Sequence, residues 1–142
     1  MKLSETQRGE IFAVEQACFA NSWTQEMLFE EIDSPLSVLT VECRGGKAVG
    51  FALGRVVADE GELYQIGVLP ECRRQGLAQK LLTDLLAAMR ERGAAKCFLE
   101  VRSRNSAAIA LYEKAGFERI SVRKGYYDDD DALIYRLDML NN

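Results

Sequence analysis

Residues 65–89 read as a strand that runs through a basic, glycine-containing loop into a long amphipathic helix, and this junction constrains the fold more than any other stretch. Leu77, Leu81, Leu82, Leu85, Leu86 and Met89 recur at intervals of three and four, with Gln79, Lys80, Asp84 and Arg90 turned away and Gly93 placed to end the helix. A helix with one apolar stripe needs a sheet or another helix to bury it. The loop before it holds Arg73, Arg74, Gln75 and Gly76. Unpaired N–H groups at a helix start carry partial positive charge, a glycine lets an anion reach the backbone, and two arginines add full charges. The junction is therefore a candidate phosphate site, with two solvated arginines before an ordinary helix start as the alternative. Neither the spacing of a P-loop nor a G-x-G-x-x-G dinucleotide fingerprint occurs.

Ahead of the junction, Ile11, Phe12, Val14, Cys18 and Phe19 fall at helical spacing, with Glu15 interrupting them, and predict a first helix starting near Thr6. Thr24 is a suitable N-cap for a second short helix carrying Met27, Leu28, Phe29 and Ile32, which Ser34-Pro35 ends. Strand-type runs follow at 37–43, 48–57 and 62–69. Arg44-Gly45-Gly46-Lys47 and Asp59-Glu60-Gly61 supply the turns of an antiparallel meander. Beyond the long helix, 96–102 reads as a strand, Asn105 caps a helix to about Ala115 that Gly116 stops, and 118–124 and 132–140 read as two closing strands. With no linker, repeat or low-complexity tract, the expectation is one mixed α/β (α+β) domain over 1–142, a single sheet with helices on its faces.

Composition narrows the chemistry. A chain of 142 residues suits one compact domain. Hydrophobic residues at 48% and charged residues at 28% exclude a disordered or collagen-like chain. Lys plus Arg number 18 against 22 Asp plus Glu, a net charge of −4, so direct nucleic-acid binding through bulk charge is not expected. There is no histidine, which removes Ser-His-Asp and Cys-His catalysis and leaves carboxylate, Tyr, Cys, Lys or the amino terminus as acid or base. Cys18, Cys43, Cys72 and Cys97 form no C-x-x-C pair, so no metal site is expected. No secretory leader and no apolar run of about 18 residues are found, pointing to the cytoplasm, no membrane, and cysteines acting as small, partly buried hydrophobes.

Arg73-x-x-Gly76-x-Ala78, following a strand and opening a helix, resembles the pyrophosphate loop of the GNAT acetyltransferase superfamily. Leu99-Glu100-Val101-Arg102 leading into Asn105-x-x-Ala108-x-x-Leu111-Tyr112-x-x-x-Gly116-Phe117 is similar to that superfamily's second signature. The closing Arg123-Lys124-Gly125-Tyr126-Tyr127 and Asp131-Ala132-Leu133-Ile134-Tyr135 resemble the RimI-type branch, the ribosomal-protein N-terminal alanine acetyltransferases.

The resemblance implies the GNAT fold, with one central, mostly antiparallel sheet and helices on both faces. It also implies acetyl transfer from acetyl-CoA to a protein α-amine by direct attack in a ternary complex, with a small-subunit ribosomal protein as the expected partner. A lysine or small-amine acetyltransferase and a non-catalytic acyl-CoA-binding module are the alternatives. Cofactor contacts fall by resemblance on Ile66, Gly67 and Val68 along the strand, on Arg73, Arg74, Gln75, Gly76, Leu77, Ala78 and Gln79 around the loop, and on Asn105. Gly67 stands where related enzymes often carry Ala, a change expected to loosen the strand. Glu100 matches the proton acceptor and Tyr112 the general acid, while Trp23, Tyr126 and Tyr127 match the acceptor groove. The branch usually reads Phe-Pro-Trp where this chain has Phe19-Ala20-Asn21-Ser22-Trp23.

The residues' own pattern leaves alternatives beside those roles. Alternation puts Phe98, Glu100 and Arg102 on one face of their strand, where a carboxylate in a cleft beside Phe98 would have a raised pKa. Spacing equally allows a solvated Glu100 paired with Arg102 or Arg104. Tyr112 shares a helix side with Ala108, Ile109 and Ala115 and reads equally as a core tyrosine. Asn105 is a strong N-cap in any case. The acids Asp128, Asp129, Asp130 and Asp131 suit a solvated turn, or an attractor for a basic peptide end.

Overall fold

The computed structural model describes residues 2–140. Two helices, α1 (Glu5–Cys18) and α2 (Gln25–Asp33), precede the meander β1 (Ser37–Arg44), β2 (Lys47–Val57) and β3 (Glu60–Val68). A 3-10 turn (Pro70–Cys72) leads into α3 (Leu77–Glu91), followed by β4 (Lys96–Arg102), α4 (Ser106–Lys114), β5 (Glu118–Tyr127) and β6 (Asp130–Asp138). The predicted elements are all present. Two boundaries move: Glu60 and Gly61 belong to β3 rather than to a turn, because Ala58 takes the left-handed conformation (φ 54°) and closes the hairpin earlier. The last hairpin also tightens, so that β5 runs on to Tyr127 and β6 begins at Asp130.

Helix starts follow the sequence chemistry. The Ser4 hydroxyl accepts from the Gln7 N–H while the Gln7 side chain accepts from the Ser4 N–H, a reciprocal cap on α1. Thr24 caps α2 and Asn105 caps α4, each contributing about 1 kcal/mol. The α3 start has no such side chain. Its cap is Gly76 at φ 77°, and no side chain accepts from the first amides of the helix.

The six strands form one sheet in the order β1-β2-β3-β4-β6-β5. Every neighbouring pair is antiparallel except β3 and β4, which the α3 crossover makes parallel. That parallel ladder is short: Glu60, Gly61 and Glu62 pair with Lys96, Cys97 and Phe98, after which β3 continues to Val68 and β4 to Arg102 without partnering each other. The break coincides with an irregularity in β3. Leu53 faces Gln65 and Gly54 faces Leu63, so Tyr64 is an extra residue, a β-bulge that bends β3 away from β4.

Each face of the sheet carries its own core. Leu81, Leu82, Leu85 and Met89 of α3 are at most 1% exposed and pack with Cys97, Leu99, Val101, Tyr112 and Phe117 on one face. Ile11, Val14 and Leu28 pack with Phe51 and Leu53 on the other. Truncating any of these α3 leucines to alanine costs about 2–5 kcal/mol. Cys97 and the half-buried Cys18 and Cys72 fit the hydrophobic role expected of them; Cys43, at the exposed end of β1 beside the turn, does not. Among the described residues no helix is long and apolar enough to cross a membrane.

Candidate active site

Where β3 and β4 part, the sheet is open through its middle. On the α3 face the opening widens into a cleft of about 590 Å³, within the usual range for a small-molecule site. Its walls are the 66–68 stretch of β3, the loop and first turn of α3, and one side of α4 from Asn105 to Tyr112. Ten of the eleven cofactor positions expected from the sequence line it; Gln75 does not. Cys18 and Phe19 line it as well, reaching β3 from the end of α1; Phe19 belongs to the segment matched to the acceptor side, and Cys18 is not anticipated by the sequence.

Gly76 turns the chain at φ 77°, and Arg74 is itself left-handed at φ 63°. The curl leaves the Leu77, Ala78 and Gln79 amides without intrahelical partners at the mouth of the cleft, the arrangement that binds anions. Arg73 lies elsewhere. Its Nε donates to the Val68 carbonyl at 2.9 Å and its Nη2 approaches the Cys18 thiol at 3.7 Å, so its charge sits along β3. Gly67 meets α1 closely: a Cβ there would lie 3.2 Å from Cys18 Sγ and 3.3 Å from Cys18 Cβ, so a side chain would push Cys18 back by a few tenths of an ångström. The missing methyl leaves room for the end of α1.

Asn105 does both things open to it, capping α4 through the Ala108 N–H at 3.2 Å and lining the cleft. Tyr112 also has both characters. Its ring meets Phe117 edge-on at 5.9 Å in the core, and it lines the cleft. Burial pushes the Tyr112 hydroxyl up to about 12, so it carries its proton throughout the physiological range.

Glu100 occupies the opposite face. Cys97, Leu99 and Val101 turn into the α3 side, as the alternation requires, and Glu100 faces the α1 side beside the opening. It is not walled in by Phe98 and apolar neighbours, as the sequence suggested; its surroundings are polar and partly open. Tyr127 Oη donates to Glu100 Oε1 at 3.1 Å, and Arg123 Nη1 lies 3.8 Å from Oε2. The cation beside it is thus Arg123, from β5, and not Arg102 or Arg104. Arg102 instead lies over the Tyr127 ring, 3.9 Å from its centroid, and Arg123 over the Tyr126 ring at 4.1 Å. Burial, then the charge of Glu100, raises the Tyr127 hydroxyl above its usual value. Trp23 stands across the opening on the β3 side, its ring 6.0 Å from that of Tyr64 at the bulge.

The acidic run is structural. Asp129 pairs with Arg102 at 2.8 Å, Asp130 accepts from the Ser103 hydroxyl and, at 3.0 Å, from the Arg104 N–H, and Asp131 accepts from the Gly125 N–H at 2.8 Å. The Ser103 bond and the backbone donors hold the Asp130 carboxyl below its usual value. Asp129 and Asp130 tie the last hairpin to the end of β4, and Asp131 braces the hairpin itself. Among the described residues no group of His, Cys, Asp and Glu is placed to hold a metal.

The Acetyltransferase (GNAT) family model matches residues 9–117. The ribosomal protein bS18-alanine N-acetyltransferase of Escherichia coli is 37% identical over 130 residues, covering 92% of this chain and 87% of that protein. The enzyme of the same name from Salmonella typhimurium is 36% identical over 141 residues, covering 95% and 93%. The crystal structure of the Escherichia coli ribosomal-protein alanine N-acetyltransferase superposes with a TM-score of 0.88 at 34% identity, covering 100% of this chain and 96% of that one.

Proposed function

Because the chain belongs to the acetyltransferase (GNAT) family, we propose that it moves an acetyl group from acetyl-CoA to the N-terminal α-amine of a protein, with Glu100 as base and Tyr112 as acid. The acceptor is the N-terminal alanine of ribosomal protein bS18, the substrate in the name of relatives sharing 36–37% identity over nine-tenths of the chain. The observation that carries the reading is the opening between β3 and β4, which has an anion-binding helix start and Tyr112 on one face and Glu100 with Tyr127 on the other. Two substrates can meet there from opposite sides of the sheet. The work of this protein is expected in the cytoplasm.

The cleft suits acetyl-CoA in charge and in shape. Unpartnered amides at Leu77, Ala78 and Gln79 together with Arg74 suit a pyrophosphate, and the bent edge of β3 from Ile66 to Val68 suits an extended amide-bearing arm. Bound there, acetyl-CoA supplies a thioester open to attack by an amine. Glu100 takes the proton from the incoming ammonium group, directly or through the Tyr127 hydroxyl that already donates to it. An α-amine has a pKa near about 7.7–8.0, so a carboxylate suffices as acceptor near neutral pH. Tyr112, kept protonated by burial, delivers a proton to the departing thiolate from the other face.

Gly76→Val tests the cofactor half of this reading. A side chain at φ 77° costs about 1–2 kcal/mol and stands where the anion approaches. Affinity for acetyl-CoA, measured by calorimetry, is expected to fall about tenfold or more, with a melting temperature lower by about 3–8 °C and a single cooperative transition.

The acceptor is tested by steady-state CoA release, with product mass read in parallel. Two peptides are compared, one with a free N-terminal alanine and one N-blocked but containing lysine. Turnover on the free terminus only is the expected result. Turnover on the blocked peptide would make the chain a side-chain acetyltransferase, and binding of acetyl-CoA without turnover on either would remove the acceptor assignment.

A further inference from the structure

Glu15 is fully buried in the last turn of α1, yet it makes no ion pair among the described residues. Its Oε2 accepts from the Gln65 side-chain amide at 3.0 Å and from the Trp23 backbone N–H at 2.9 Å. Two buried side-chain oxygens beside these bonds have no donor, Glu15 Oε1 and Gln65 Oε1. They belong to the same two groups that already share one hydrogen bond. A single proton on Glu15 Oε1 satisfies both, closing an acid–amide pair with two parallel hydrogen bonds.

The surroundings agree with a neutral acid. The titratable neighbour on its own helix is Cys18, and the cation that reaches in from the loop after β3 is Arg73, which bonds to the Cys18 thiol and the Val68 carbonyl instead. Apolar residues pack against α1 from its neighbours, Leu28 from α2 and Phe51 and Leu53 from β2, while the charged contacts of α1 with those elements are made by Arg8 to Asp33 and by Glu10 to the Ala48 N–H. Burial, outweighing the two hydrogen bonds, raises the carboxyl above its usual value.

What the pair holds is the acceptor side of the opening. Gln65 follows the bulged Tyr64, and Tyr64 carries Trp23 on its ring, so Glu15 ties the backbone of Trp23 to the bulged part of β3. We propose that Glu15, carried as a neutral carboxylic acid paired with Gln65, is a positioning residue that fixes the Trp23 segment as the wall against which the acceptor peptide docks. This rests on the N-terminal acetyltransferase reading for its consequence in activity, but not for its structural content.

Trp23 is the sole tryptophan of the chain, so its fluorescence reports this segment without any turnover. Glu15→Leu removes both acceptors, Gln65→Met removes the pair from the other side, and Glu15→Gln rebuilds two hydrogen bonds as an amide–amide pair while keeping an acceptor for Trp23. Acrylamide quenching of Trp23 is expected to rise at least twofold in Glu15→Leu and Gln65→Met and to stay at the wild-type value in Glu15→Gln. The peptide KM is expected to rise about tenfold in the first two, with acetyl-CoA affinity within twofold of wild type. The melting temperature gives a further sign. A carboxyl raised in the folded state loses stability as pH rises from its unfolded value near 4.5 towards its folded value. Melting of Glu15→Gln relative to wild type should therefore improve with rising pH across that window.

Unchanged quenching and KM in both Glu15→Leu and Gln65→Met overturn the positioning role. Should Glu15→Leu fail to fold, Gln65→Met decides by itself. A Glu15→Gln variant as impaired as Glu15→Leu, or one that loses ground to wild type as pH rises, overturns the neutral acid. If wild type acetylates neither peptide, the functional reading falls while the quenching series still decides the contact.

Discussion

Replacing Glu100 with glutamine is expected to lower kcat on a free N-terminal peptide by about 10²–10³-fold, in the range that a positioned base contributes. The side chain keeps its size and its bond from Tyr127, so the opening keeps its shape; only the ability to hold a proton is lost. Acetyl-CoA affinity should stay within twofold of wild type, because Glu100 lies on the face away from the phosphate-binding helix start. The pH dependence separates this loss from a packing defect. Below the amine pKa of about 7.7–8.0 most acceptor is charged and must lose a proton, so the deficit is largest there; above it the amine arrives neutral and the deficit narrows. A deficit that is flat with pH, or turnover equal to wild type, would remove Glu100 from the role of base. The measurement is a pH series of kcat and kcat/KM for both proteins.

Tyr112→Phe should slow the chemical step by about a hundredfold while leaving acetyl-CoA bound about as well as before. The ring that packs on Phe117 remains, so thermal unfolding should change little. In wild type, the hydroxyl is held protonated up to about pH 12, and no limb of the pH–rate profile below that value should belong to it. The competing role makes the opposite forecast: a tyrosine that merely fills the core would give a lower melting temperature with normal turnover in the folded fraction. Single-turnover CoA release beside a melting curve tells the two apart.

Periodicity in the sequence specifies most of the elements of the fold. The stripe from Leu77 to Met89, the caps at Thr24 and Asn105 and the glycine turn after β1 are local signals, and they were legible because each depends on neighbours within a turn or two. Long-range placement was not. Nothing in the two closing runs tells that β6 inserts between β4 and β5, or that Arg123, and not Arg102, arrives beside Glu100, since register between distant strands decides both. The bulge at Tyr64 leaves no mark in β3 itself, because it is a mismatch with β2. Glu15 interrupts an apolar series, and its burial has no local signal, because Gln65 and the Trp23 N–H come to meet it from other elements.

The early parting of β3 and β4 also has a thermodynamic side. The middle of the sheet is joined by only three residue pairs of β3 and β4, fewer than at either edge, so backbone pairing there depends on the core that α3 lays across it. A ligand that spans such a fork binds the folded chain and not the unfolded one, so its binding free energy adds to folding. At a hundred times its Kd that addition is about 2.7 kcal/mol, against a total stability of about 5–15 kcal/mol for an ordinary domain. Bound acetyl-CoA would then make the unfolded chain about a hundredfold rarer, so the co-substrate acts on the stability of the fold as well as on the rate.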